Sequence, residues 1–211
     1  MGPEPKQHPA EVPPGYPREF ERELRLSDGR AIWLRPLVPD DSEQLAHAIR
    51  TADPETVYRR FLGAAPRVTP ALLEHLCTVD YRKRFALVAA DAATGVGVGI
   101  ARYEAVTADS AEVAVAVDPA WRRAGLATAL VEMLAEAALG RGITSFSASY
   151  LAENRPVRAL LGLAGDGKQA IHAGLAEAAV ALDRASVTAA VQRLTRDGAP
   201  GAAQGPAAPG P

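Results

Sequence analysis

Two groups of residues in this chain have the types and spacing to do chemistry. The first is a short loop, Asp118-Pro-Ala-Trp-Arg-Arg-Ala-Gly-Leu-Ala-Thr128. It joins an alternating, strand-like run at 111–117 to a helix-like run at 126–139, where Leu126, Leu130, Met133 and Leu134 recur at helical spacing. Pro119 stops the strand because it has no N–H to donate. The first N–H groups of a helix have no partner within it, the helix dipole puts a positive end there, and anions bind at such ends. Gly125 and Ala127 are small enough to let a pyrophosphate approach the backbone closely. Arg122, Arg123, Ala124, Gly125, Leu126, Ala127 and Thr128 therefore read as a phosphate-binding turn. Backbone N–H groups from Arg123 to Thr128 would do the holding, and Arg122 and Arg123 would add charge-assisted contacts. The second group is one acid, Glu112, in a run that is otherwise apolar and small. Alternation puts it on the face of Ala114 and Ala116, which leave room beside it. An acid there is costly unless it is solvated or used. Used and partly buried, it would be tuned toward a general base; the other reading of the same pattern is a strand-edge Glu in solvent.

The elements that must position these groups follow in order. Arg30–Pro36 reads as a first strand after an Asp28-Gly29 turn. Pro39-Asp40-Asp41-Ser42, Asp53-Pro54 and Thr69-Pro70 are helix starts. Phe85–Asp91 and Val96–Ala105 read as a hairpin through Ala93-Thr94-Gly95. After the 126–139 helix, Gly140-Arg141-Gly142 is its stop, Ile143–Leu151 a strand, and Asn154–Leu163 a helix. Lys168–His172 and Ala176–Leu182 are weaker strands joined near Gly174, and Asp183–Thr195 is an amphipathic helix. The result is a mixed α+β domain with a mainly antiparallel central sheet flanked by helices. The chain has 211 residues, 48% of them hydrophobic, and reads as one domain at 23–196 between a Pro-rich disordered tail at 1–22 and an Ala/Gly/Pro tail at 197–211.

Composition narrows the function classes. A net charge of −2 gives no reason to expect nucleic acid or an anionic membrane as partner. No signal sequence or long apolar run is visible, which predicts a cytoplasmic protein. The one cysteine, Cys77, falls among Leu72, Leu73 and Leu76 and reads as a core thiol rather than a nucleophile. His8, His47, His75 and His172 have no ligand spacing, so no metal is expected. Gly162-x4-Gly167-Lys168 imitates a nucleotide-binding loop, but Gln169 stands where Ser or Thr is needed and the preceding element is helical.

Arg122-x-x-Gly125-x-Ala127 fits the Arg/Gln-x-x-Gly-x-Gly/Ala signature of the Gcn5-related N-acetyltransferase (GNAT) family. Asp118-Pro119 before the loop and Ala152-Glu-Asn-Arg-Pro156 after the next strand add to it, as do Arg35-Pro36, Tyr58-Arg59-Arg60-Phe61 and Val79-Asp80-Tyr81 upstream. The chain most resembles bacterial protein lysine acetyltransferases acting on acyl-CoA synthetases, over roughly residues 28 to 182. The resemblance implies acetyl-CoA as cosubstrate and a sheet that splays beside the 111–117 strand to admit the pantetheine arm. It implies backbone donors at Val115, Ala116 and Val117 for the arm and the oxyanion, Glu112 as base, and Asn154 both capping its helix and lying near the pantetheine. Many members carry a Tyr in the helix after Asn154 as general acid. Here that helix has none, Tyr150 is a weak substitute, and Ala164-Gly165-Asp166-Gly167 replaces a common Gly-Phe. The expected reaction is direct acetyl transfer to an amine, a protein lysine such as one on an acyl-CoA synthetase. A small-molecule amine acetyltransferase and a non-catalytic acyl-CoA sensor are the alternatives.

Overall fold

The computed structural model describes residues 9, 11–64, 66–164 and 167–197. Of the expected tails at 1–22 and 197–211, residues 1–8, 10 and 198–211 lie outside the described residues, as does Gly165-Asp166 after the Asn154 helix.

Proline and acceptor side chains set the first helices. Asp53 accepts from Thr56 N at 2.9 Å and opens α2 (Pro54–Phe61). Thr69 does the same for Leu72 N at 3.2 Å and opens α3 (Pro70–Cys77). Asp41, ahead of α1 (Ser42–Thr51), accepts from Val38 N and from Arg35, so its carboxylate ties the helix start to the first part of the sheet. These helices lie between β2 (Ala31–Pro36) and β3 (Arg84–Asp91) in sequence. The chain then forms the hairpin of β3 and β4 (Gly97–Ala105), turning at Gly95 with φ of 70°, and continues into β5 (Ser110–Val117), α4 (Leu126–Leu139) and β6 (Ser145–Leu151). Next come α5 (Arg155–Ala164), β7 (Gly167–His172), β8 (Leu175–Ala181) and α6 (Arg184–Asp197).

With β1 (Arg22–Arg25), the strands make one eight-stranded sheet in the order β1-β2-β3-β4-β5-β6-β8-β7. Every pairing is antiparallel except β5 with β6, which α4 connects as a crossover. Alternation divides β3, β4 and β5 between two faces. Phe85, Leu87, Ala101 and Tyr103 pack with Leu130, Met133 and Leu134 of α4 in the main core. Ala86, Cys77 and Leu37 form a small second cluster under α1 and α3.

The fold also begins earlier than the sequence suggested. Phe20 is 5% exposed and meets Phe85 edge-on with ring centroids 5.4 Å apart, and Tyr16 meets Tyr81 in the same way at 5.7 Å. Residues 16–22 are thus part of the domain, not of a tail; two aromatic rings anchor a stretch whose prolines suggested disorder. Tyr81, the last residue of the Val79-Asp80-Tyr81 motif, is a core residue whose hydroxyl donates to Leu37 O at 2.9 Å. No helix among the described residues is long and apolar enough to cross a membrane.

Candidate active site

The site is a seam between two strands. Val106 N donates to Ser110 O at 2.8 Å, and Asp118 N donates to Val98 O at 2.9 Å, at the two ends of the β4–β5 ladder. Hydrogen-bonded pairs alternate along an antiparallel ladder, so the even-numbered residues of β5 exchange bonds with β4. The backbone groups of Val113, Val115 and Val117 point the other way, toward β6. Yet β5 and β6 pair only over Ser110–Glu112 with Ser145–Ser147. Past that point the strands diverge, and Val113, Val115 and Val117 face a gap. This is the splay the sequence reading expected. It corrects that reading at Ala116, whose amide belongs to the β4 ladder; only its side chain reaches the site.

Two cavities fill the gap. The outer one, about 780 Å³, is lined by Val115, Ala116, Val117, Arg122, Arg123, Gly125, Leu126, Ala127, Thr128 and Asn154, joined by Glu55, Thr56, Arg59 and Arg60 of α2 and by the start of α5. The inner one, about 280 Å³, runs between Glu112–Val115 and Ala148–Tyr150. The two share Arg59, Arg60, Val115, Val157 and Leu160. Ala124 alone of the predicted site residues turns away: it is 2% exposed and its carbonyl accepts from Ser27 N.

At the outer end the loop is shaped by two left-handed residues, Arg123 with φ of 62° and Gly125 with φ of 86°. Gly125 suits such a conformation and Arg123 does not. Gly125 is the N-cap of α4 and brings no side-chain acceptor, so no side chain covers the first N–H groups of the helix. Arg123 is exposed and free to meet an anion. Arg122 is not: its Nε donates to Val117 O at 3.3 Å, and its guanidinium reaches Thr56 Oγ1 and lies 4.0 Å from Asp53. It ties α2 to the end of β5 while lining the outer cavity. Asn154 is 7% exposed; its Oδ1 accepts from Val157 N at 3.4 Å while the residue lines the outer cavity, so capping and lining coincide.

At the inner end Glu112 lines the cavity beside Ser149, Tyr150 and Arg60. It is exposed, which removes the burial that the sequence reading invoked to tune it. On that face it stands across from Glu104 of β4 and next to Ala114 along its own strand; Arg60 and Phe61 of α2 line the cavity over Ala114 and Ala116, with Glu112 at the mouth. Arg60 faces it: burial and the charge of Arg102 lower the Arg60 pKa, against the pull of Glu112 and Glu104. Tyr150 is 2% exposed and also lines the inner cavity. Cys77 lies in the small cluster away from both cavities, and burial pushes its thiol up to about 11, which leaves almost no thiolate at neutral pH. No group of three or more metal-ligating side chains stands together among the described residues. Sequence reasoning missed the lining from α2. The motif at 58–61 was visible, but nothing local shows that this helix crosses over β5.

Comparison with known proteins places this arrangement. The profile of the acetyltransferase (GNAT) domain family matches residues 31–165. Acetyltransferase PA5475 of Pseudomonas aeruginosa is 34% identical over 158 residues, covering 70% of this chain and 85% of that protein. Acetyltransferase Pat of Mycolicibacterium smegmatis is 32% identical over 140 residues, covering 65% of this chain; the chain spans 42% of that protein's length. Among solved structures, the GNAT domain of S. lividans PAT superposes with a TM-score of 0.72 at 29% identity, covering 79% of this chain and 99% of that one. A splayed strand pair, a glycine-capped helix aimed along the splay and a match over most of the chain make this protein an N-acetyltransferase of the Gcn5-related family.

Proposed function

We propose that the chain transfers an acetyl group from acetyl-CoA directly to an amine, and that the amine is a protein lysine. The observation that carries the first part is the loss of β5–β6 pairing after Glu112 and Ser147. It leaves one slot running from the N-terminus of α4 to an acid. The pyrophosphate sits at the N-terminus of α4, held by backbone N–H groups from Arg123 to Thr128 and by the Arg123 side chain. The pantetheine lies along β5 like an added strand, using the backbone groups of Val113, Val115 and Val117, with Asn154 near it. An amide N–H at Val113 or Val115 meets the thioester oxygen as it gains charge.

In the reaction the amine nitrogen attacks the thioester carbon. The C–N bond forms, the C–S bond then breaks, and CoA leaves as thiolate. A lysine amine has an unperturbed pKa near 10.4 and is about four parts in ten thousand neutral at pH 7. Glu112 accepts its proton, directly or through a water at the mouth of the inner cavity. A thiolate departs without an acid, so the lack of Tyr in α5 costs little. The lysine acceptor is supported by the resemblance to the relatives named Pat and by an open mouth at Glu112 rather than an enclosed acceptor pocket. An acyl-CoA synthetase is the substrate to test first, and the cytoplasm is the compartment in which such a substrate is met.

The test measures CoA release by the purified chain, with and without an acyl-CoA synthetase, for the wild type and Glu112→Gln. Synthetase-dependent turnover that falls in the variant while acetyl-CoA still binds supports the reading. Turnover with one small free amine and none with proteins refutes the lysine acceptor. Tight binding with no turnover on any acceptor refutes the enzyme.

A further inference from the structure

A third cavity, about 110 Å³, lies on the α1–α3 face of the sheet. Its floor is Ile100, Ala114 and Ala116, and its roof is Ile49 of α1 with Val57 and Phe61 of α2. It is apolar apart from Arg60 and Arg102 at one end, and Arg102 is engaged by Glu104 at 2.6 Å. It shares Ala114 and Phe61 with the inner cavity, Ala116 with the outer one, and Arg60 with both. Those shared residues set it against the slot that Val113 and Val115 face, where the proposed mechanism puts the thioester.

We infer that this cavity branches from the slot as an acyl-chain pocket, and that the protein takes donors longer than acetyl, propionyl and butyryl thioesters in particular. The inference rests on the acyl-transfer reading and goes beyond it to the donor. An acetyl group at the carbonyl has no atoms to place in the branch. The branch holds several times the roughly 30 Å³ that a water occupies in the liquid, room for about two or three methylene-sized groups. Each methylene moved from water into such surroundings favours binding about fourfold. The room exists because positions 114 and 116 are alanines. A side chain of Val or Leu size at 114 would grow from the floor into the branch.

The experiment is calorimetric binding of acetyl-, propionyl-, butyryl- and hexanoyl-CoA to the whole chain, which needs no acceptor. Wild type should bind butyryl-CoA about tenfold more tightly than acetyl-CoA. Ala114→Val should abolish that preference, and Ala48→Leu, on α1 where it also lines the branch, should abolish it and leave the acetyl-CoA Kd within about threefold. Val57→Ala, which enlarges the branch, should shift the preference toward hexanoyl-CoA. Two variants from different elements guard against one of them misfolding, and opposite shifts from filling and enlarging are not what general destabilisation produces. Wild type that binds acetyl-CoA but rejects butyryl-CoA overturns the pocket alone. So does a preference that none of the variants moves. Failure to bind any acyl-CoA overturns both the pocket and the reading beneath it.

Discussion

On the α4 side of the sheet, Phe85 stacks on Tyr103 with centroids 5.7 Å apart and an interplanar angle of 10°, and Tyr103 meets Phe146 at 6.2 Å. Leu130, Met133 and Leu134 of α4 close over these rings, all of them 0% exposed. On the α1–α3 side β3, β4 and β5 present Ala86, Val88, Ile100, Arg102, Ala114 and Ala116. Here polar ties hold the layer: Arg35 on Asp41 at 2.6 Å, Arg102 on Leu76 O at 3.3 Å, Tyr81 on Leu37 O, and Arg122 on Thr56 and Val117 O. Apolar packing is non-directional and fills space. Polar ties fix a few points and let small side chains leave room between them. The first face supplies the stability that lets the second stay partly hollow, and the proposed chemistry is on the hollow one.

Removing a ring from the dense face tests this contrast most severely. Phe85→Ala should cost about 3–5 kcal/mol, seen as a lower urea midpoint with an unchanged m-value. A loss under about 1 kcal/mol would mean the aromatic stack is not the stability of the fold. On the other face the effect should fall on rate. Glu112→Gln should lower kcat/KM at least about 10²-fold, as the loss of a general base does, with Tm and the acetyl-CoA Kd unchanged. Equal turnover in both proteins would keep the slot and remove Glu112 from the mechanism.

A single strand offers a finer version of the same contrast. A Cβ on Gly99 would lie 3.1 Å from Leu130 Cδ1 and 3.2 Å from Leu126 Cδ2, both fully buried, whereas one on Gly97 would meet only the Gln44 side chain at 3.6 Å. Gly99→Ala should therefore cost about 1 kcal/mol or more through overpacking. Gly97→Ala should be neutral or raise Tm slightly, because alanine is less costly than glycine to order in a strand. Thermal melts of the two variants side by side decide it. A larger loss at Gly97 would reverse the assignment of the faces.

The dense face and the loop were the legible parts. Helical spacing at Leu126–Leu134, the stop at Gly140 and the caps at Asp53 and Thr69 are local facts, and the structure keeps each one. The splay came through family resemblance, not through spacing. What the sequence hid is non-local. Whether the amide of Ala116 or of Val115 is free depends on the register with β4, which no run of residues reveals. The exposure of Glu112 depends on how far α2, some fifty residues upstream, extends over β5. Arg122 reads as a phosphate ligand from its place in the loop, and only the fold brings Thr56 and Asp53 beside it. Phe20 was lost among prolines, since scattered aromatics in a polar stretch declare no partner.

The smallest effect concerns the polar ties themselves. Asp53 accepts from the amide and the hydroxyl of Thr56, and these bonds, with Arg122 nearby, hold its carboxyl below the usual carboxylate range. A lowered folded-state pKa means stability that is fully present above the unfolded value, near 3.9, and is lost as pH falls through the folded one. Hydrogen exchange of the Thr56 and Val57 amides should therefore show protection of α2 that is steady at neutral pH and declines below about pH 4, after correction for intrinsic rates. Asp53→Asn keeps a cap of similar shape without the charge, so its protection should be lower at neutral pH and flat across that range. The amides of α4 around Leu130, on the dense face, should not respond in either protein. If they fray together with α2, the two faces unfold as one unit, and the roof over Ala114 and Ala116 has no freedom of its own.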